Sequence, residues 1–257
     1  MRAVKQIGTH EELVARCGAD TLCLWAAQGL DGRSRAWRSA DGRAVAVAAP
    51  GLSTRDRLAV RGPAGTAVAL AGAVLDEVGP SYRPVGDREL IGALVAGIAV
   101  LARVGTFGWM YRRRPADLPR VPGTAGWLPG AALPEVAALL AASFPTSLAK
   151  PGVTGAERWA GLRDDSGRLV ATGTLAWSAP DVGLISGVAV HPQARGQGLG
   201  RGICAFLLAE ALRRHGAAAL MVEEWNHPAQ RIYRGLGFRY QAVSAAAVPG
   251  APQRSGH

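Results

Sequence analysis

Between Arg195 and Arg201 the chain reads Arg-Gly-Gln-Gly-Leu-Gly-Arg, and behind it Leu199, Ile203, Phe206, Leu207 and Ala211 recur on one 3.6-residue stripe. That stripe predicts a helix from Gly198 to His215, with Arg213, Arg214 and Gly216 at its exit. Ahead of the loop, Val188-Ala189-Val190 predicts a strand stopped at Pro192. A glycine turn that delivers the chain into a helix leaves several N–H groups unpaired at the positive end of the helix dipole. The result is a cradle for phosphate. Gly196, Gly198 and Gly200 carry no Cβ, so a phosphate can approach the main chain closely. The loop has no lysine and so is not a P-loop. A dinucleotide fingerprint wants an acid about 20 residues on. Glu210 comes too early for this, still within the helix, whereas Glu223 stands in the next strand, and its spacing leaves that reading open.

A second constellation follows. Ala218 to Glu223 reads as a strand, and Asn226 with Pro228 reads as a helix start, the Asn as cap and the Pro in the first turn. Tyr233 lies two turns beyond Asn226, so both face one side of a short helix that Gly237 ends. Phe238 begins a closing strand.

Arg195-x-x-Gly198-x-Gly200 after Val-Ala-Val-His-Pro resembles the acetyl-CoA loop of the GNAT superfamily of N-acetyltransferases. Asn226-x-x-Ala229-x-x-x-Tyr233-x-x-x-Gly237-Phe238 resembles that family's second signature, and together the likeness spans residues 134–245. The resemblance implies acetyl-CoA as co-substrate, no metal, and attack on its thioester by a primary amine in a ternary complex. It implies that Val188, Ala189 and Val190 lie along the pantetheine arm, and that Arg195, Gly196, Gln197, Gly198, Leu199, Gly200 and Arg201 hold the pyrophosphate, largely through main-chain N–H groups. Asn226 and Ala229 would contact the cofactor, and Tyr233 would donate a proton to the departing thiolate.

The base is less defined. Many relatives place a glutamate on the strand before the loop, but Val182 to Gly187 offers none. Glu223 and Glu224 stand near the end of the following strand, where alternation puts them on opposite faces, so at most one enters the cleft. His191 is read as a turn residue. Two other readings stay open: transfer of a longer acyl group, because the loop recognises coenzyme A and not its acyl chain, and a non-catalytic acyl-CoA sensor or scaffold.

The elements that must hold these residues recur twice along the chain. The first half predicts a helix from His10 to Leu30, a hairpin turning at Asp41-Gly42, a strand Leu58–Val60, a helix Ala64–Val78, a strand at Tyr82–Val85, a helix capped by Asp87 and running to Ala102, and a strand Thr106–Tyr111. The second half predicts a helix Pro134–Phe144, a hairpin turning at Asp164–Gly167, the strand, loop and helix above, and then the Leu220 strand, Asn226 helix and Phe238 strand. Shared wording around Trp37 and Trp159, each before an acidic-glycine turn, suggests a duplication. The expected fold is α/β (α+β): two GNAT-like domains, each a mixed, mostly antiparallel twisted sheet flanked by helices, the second with splayed central parallel strands. The expected boundaries are a degenerate domain 1–120, a linker 121–133, a catalytic domain 134–248 and a disordered tail 249–257. The first half lacks both signatures and is not expected to bind coenzyme A.

Composition excludes several classes. The 257 residues are 49% hydrophobic, enough for a sizeable core in one domain or two. The longest apolar run, Leu90 to Ala102, falls short of the roughly 20 residues that span a membrane, and no secretory signal is visible. The net charge of +10 is spread over both halves, almost wholly as arginine, with Lys5 and Lys150 the two lysines. A dispersed excess argues against a nucleic-acid groove, though it helps attract a polyanion such as coenzyme A. Cys17, Cys23 and Cys204 match no zinc spacing and read as reduced thiols of a cytoplasmic protein, monomer or homodimer, with no nucleic-acid or membrane partner.

Overall fold

The structure, a computed structural model, describes residues 4–113 and 125–252. The chain divides into two compact units. Of the described residues, 4–109, 179–181 and 241–252 belong to the first, and 110–113, 125–178 and 182–240 to the second.

The first unit contains β1 (Lys5–Ile7), α1 (His10–Cys17), α2 (Thr21–Ala27), β2 (Arg35–Arg38), β3 (Val45–Ala49), β4 (Arg57–Arg61), α3 (Ala64–Val78), β5 (Arg83–Asp87) and α4 (Arg88–Gly97). β6 (Ala102–Arg113) passes from this unit into the second. In the second lie β7 (Gly126–Trp127), α5 (Leu133–Ser143), β8 (Trp159–Arg163), β9 (Leu169–Leu175), β10 (Gly183–Val190), α6 (Leu199–His215), β11 (Ala217–Glu223) and α7 (His227–Gly235). β12 (Arg239–Ala247) closes the chain.

In the first unit β1 through β5 lie side by side, antiparallel except for the parallel pair β4 and β5 that α3 connects. In the second, β7 through β11 lie side by side, antiparallel except for β10 and β11, which α6 connects. Each unit thus joins a meander to one parallel crossover, and this mixed α/β arrangement is the expected one. Helices cover the sheet in both. Leu70, Val74, Ile91 and Leu94 of α3 and α4 pack on Trp37, Leu58 and Val60, while Ile203, Leu207 and Leu212 of α6 pack on Leu162, Ile185 and Leu220. α5 buries Val136, Leu139 and Leu140 beside Trp159 and Leu169. Among the described residues no helix is long and apolar enough to cross a membrane.

Three expectations change. The helix from His10 to Leu30 is two helices, because Gly18 takes a left-handed φ of 58° and Asp20 caps a new start, accepting from the N–H groups of Leu22 and Cys23. The helix capped by Asp87 stops at Gly97, short of Ala102. The interval 121–133 is not simply a linker: residues 121–124 lie outside the described residues, but Gly126–Trp127 pairs with β8. Trp127 is held there by an edge contact to Phe206 at 5.4 Å, by Arg158 over its ring at 4.3 Å, and by an N–H donated to Glu210 at 3.0 Å. The closing strand also finds a partner the sequence did not name. Val243, Ser244 and Ala245 pair with Asp87, Gly86 and Val85, so the last part of β12 completes the first unit's sheet. Of the tail expected to be disordered, 253–257 lie outside the described residues.

Candidate active site

The site is built where β10 and β11 part. They pair in parallel over Gly183–Ile185 and Ala218–Leu220. Beyond Ile185, β10 bulges: Ser186 faces Thr174 and Ala189 faces Thr172, so three steps of β10 pass two of β9. The extra residue sits at Gly187, whose φ of 59° is left-handed and whose Cβ, if present, would lie 2.7 Å from the Trp159 ring. No other residue type fits there. The bulge turns Val188 and Val190, both half-buried, along the lower part of α6, while Ala189 packs on the opposite face against α5 and Trp159. The strands expected to splay therefore do so, and the kink that separates them is specified by one glycine.

His191 enters the loop with its Nε2 2.6 Å from Nη2 of Arg168 and its Nδ1 3.3 Å from the Gln193 N–H. This ties it down as a turn residue. Pro192–Ala194 makes one tight 3₁₀ turn, and Gly196 and Gly198 take φ values of 81° and 77°. Gly198 stands at the N-cap of α6, and no side chain caps the helix. The first-turn N–H groups of a 17-residue helix are thus left for another acceptor. No atom lies within 4 Å of where a Cβ at Gly196 or Gly198 would sit, so the space over the loop is open. Gly200 differs because its backbone is helical, and a Cβ would meet Val190 Cγ2 and Ile232 Cδ1 at ordinary distances of 3.5 and 3.7 Å. The protein's own packing does not demand glycine at 200. Arg195 is exposed and Arg201 reaches across to Gly235, its Nη2 donating to that carbonyl at 3.2 Å.

α7 supplies the remaining candidates. Asn226 is its cap, the side chain accepting from the Ala229 N–H at 3.2 Å. Tyr233 is 9% exposed, its ring 6.0 Å from Phe238 and packed with Ile203, Cys204 and Val222. Burial, and secondarily the nearby Cys204 thiol, push the phenol well above its ordinary range, so it stays protonated. Cys204 itself is pushed up to about 12 by burial and stays a thiol. Glu223 is exposed at the end of β11 and Glu224 half-buried beside it. The residue that fixes them was not found from sequence: Gln230, 4% exposed, donates its amide to the carbonyls of Glu223 and Glu224 at 3.3 and 2.9 Å. A glutamine three residues before the tyrosine was the available signal.

The first unit's parallel pair ends differently. β3 and β4 stay in register from Val45↔Arg61 to Ala49↔Arg57 without a bulge. A Cβ at Gly86 would lie 2.5 Å from the Val60 carbonyl, so β4 and β5 remain closed together. The cavity of about 320 Å³ at that end is lined by Asp20, Asp87 and Glu89 against Arg61, an acidic balance that repels a polyanion.

Comparison with known proteins agrees with this geometry. Residues 141–238 match the sequence model of the Acetyltransferase (GNAT) family. A stretch of 84 residues is 37% identical to the mycothiol acetyltransferase of Thermomonospora curvata, covering 32% of this chain and 28% of that protein. A GNAT-family structure from Novosphingobium aromaticivorans superposes over 88% of this chain and 96% of its own at 20% identity, with a TM-score of 0.54. A GCN5-related N-acetyltransferase from Sphaerobacter thermophilus superposes over 95% and 94% at 15% identity, again at 0.54. The identities of these two carry the fold and no more. The bulge, the parted strands and the uncapped glycine loop all lie inside residues 141–238, the segment that is similar to the acetyltransferase (GNAT) family.

Proposed function

We propose that this chain is an acetyl-CoA-dependent N-acetyltransferase, moving an acetyl group to a primary amine. The observation that carries this reading is the separation of β10 from β11 directly below an uncapped helix start, where Gly200 leaves room that the fold itself does not need. Bound there, the co-substrate supplies an acetyl thioester open to attack by an amine. The chain's part is to hold and orient it. Main-chain N–H groups from Gly196 to Arg201 receive the pyrophosphate, and Val188 and Val190 flank the arm. Tyr233, protonated and sheltered, donates a hydrogen to the sulfur as it leaves. Glu223 or Glu224, held through their carbonyls by Gln230, draws a proton from the incoming ammonium through water. The first unit, closed between β4 and β5 and acidic there, acts as a degenerate copy without a coenzyme A site of its own. The family match and the mycothiol acetyltransferase likeness support the acetyl-transfer class.

The test is release of free thiol from acetyl-CoA against a panel of primary amines, with acetyl-CoA affinity measured separately by calorimetry. Amine-dependent release supports transfer. Firm binding with no release on any amine, or with propionyl-CoA in its place, turns the reading to a sensor. Gly200→Ala separates the loop's role from its stability: alanine is favoured over glycine within a helix by about 1 kcal/mol. The melting temperature should hold or rise while acetyl-CoA binds about ten-fold more weakly, a loss of ~1.4 kcal/mol. Unchanged affinity in that variant contradicts the placement of the phosphates.

A further inference from the structure

Among the described residues of the first unit, one buried arginine has no carboxylate to balance it. Arg57 opens β4 at 8% exposure, with its Nε donating to the Leu52 carbonyl at 3.0 Å and its guanidinium 5.4 Å from the centre of the fully buried Trp25 ring. Its neighbour across the parallel pair is Arg83, in register with it. Arg55 precedes it by two residues in extended backbone, φ −147° and ψ 149°. Arg57 and Arg83, in register on strands about 4.8 Å apart, share a face, and Arg55 lies close enough to act on both of their charges. Asp56, the acid between Arg55 and Arg57, is buried and turned to other partners. Both its oxygens are taken, Oδ1 by the Gly51 N–H at 2.8 Å and Oδ2 by the Ser81 hydroxyl at 2.7 Å.

Among the described residues no carboxylate pairs with Arg55, Arg57 or Arg83. Burial first, then Arg55 and Arg83, bring the Arg57 guanidinium down to about 10, and burial with Arg55 lowers Arg83. A buried cation set among like charges is costly unless an anion joins it. We propose that Arg55, Arg57 and Arg83 form a binding site for a phosphate-bearing ligand at the amino ends of β4 and β5. Planar guanidinium forks match the oxygens of a phosphate. A phosphate carries nearly two negative charges and three acceptor oxygens at neutral pH, where a single carboxylate leaves two of the three cations unanswered. None of these residues belongs to the glycine loop, so the site is a second one.

The probe is inorganic phosphate on the full chain, read by thermal unfolding against sodium chloride at matched ionic strength. Arg57 is left intact, because its removal empties a packed position under Trp25. Arg55, exposed, and Arg83, half-buried, are changed together to glutamine. Wild type should gain stability from phosphate beyond chloride, and Arg55→Gln/Arg83→Gln should show at least ten-fold weaker apparent phosphate affinity. Without phosphate the double variant should melt at or above the wild-type temperature, since like-charge repulsion is relieved. Three results overturn the site: no phosphate-specific shift in wild type, the same shift in the double variant, or a double variant that melts lower without phosphate, which would make the arginines structural.

Discussion

Tyr233→Phe should lower turnover about 100-fold or more while leaving acetyl-CoA affinity and melting temperature nearly unchanged. The substitution removes one hydroxyl from a ring whose packing against Phe238, Ile203 and Val222 stays in place. Positioned general acids are worth 10²–10⁴ in rate, and loss of an interaction made only as the sulfur departs falls on kcat. Two further readouts sharpen the expectation. A thioester whose thiol is a better leaving group needs less protonation, so the defect should shrink with such a donor. The raised phenol of Tyr233 also predicts that wild-type kcat shows no loss from its ionisation through the neutral and mildly alkaline range, because the neutral donor persists there. A variant with undiminished kcat would reduce Tyr233 to a packing residue.

The second large effect belongs to Gly187. Gly187→Val should cost about 3 kcal/mol or more, because a β-branched side chain must take a left-handed φ and press on a ring that cannot yield. The ring is Trp159, 1% exposed, 2.7 Å from the Cβ position. At this chain length that is a fall of about 10 °C in melting temperature. Acetyl-CoA binding should be lost with it, since a β10 without its bulge runs on beside β11 and closes the cleft. Gly167→Val is the control: its φ of 83° carries the same backbone strain, but no atom lies within 4 Å of its Cβ position in the hairpin turn. That variant should lose about 1–2 kcal/mol and keep its affinity. If both variants bind acetyl-CoA like wild type, the bulge does not make the site.

What the sequence disclosed was local. The Asn226 cap, the Asp87 cap, the glycine entry to α6 and the span of α3 are written in neighbouring residues, and the hydrogen bonds at Ala229, Glu89 and Leu90 realise the two caps. Non-local features stayed hidden. Gly187 was read only as part of a strand, because its role depends on Trp159 approaching from another strand. The break at Gly18 escaped notice because Leu13, Cys17, Leu22 and Leu24 keep an apolar rhythm across it, and only the Asp20 cap interrupts that rhythm. Gln230 looked like a spacer between two named motif residues until its amide was found on the carbonyls of Glu223 and Glu224. The Arg57 cluster was invisible for the same reason: Arg55 and Arg57 are near in sequence, but Arg83 joins them only through the β4–β5 register.

The pairing of Val243–Ala245 with β5 bears on how the chain comes to be folded. A ribosome releases β5 long before residues 241–247, so through most of synthesis the early half has an open border of unsatisfied N–H and C=O groups. That border is a place for a chaperone, or for a wrong strand, until the final stretch emerges. Cutting the gene after the first half would therefore yield a polypeptide prone to associate through β5, and adding residues 239–247 back as a peptide should restore it to a well-behaved species.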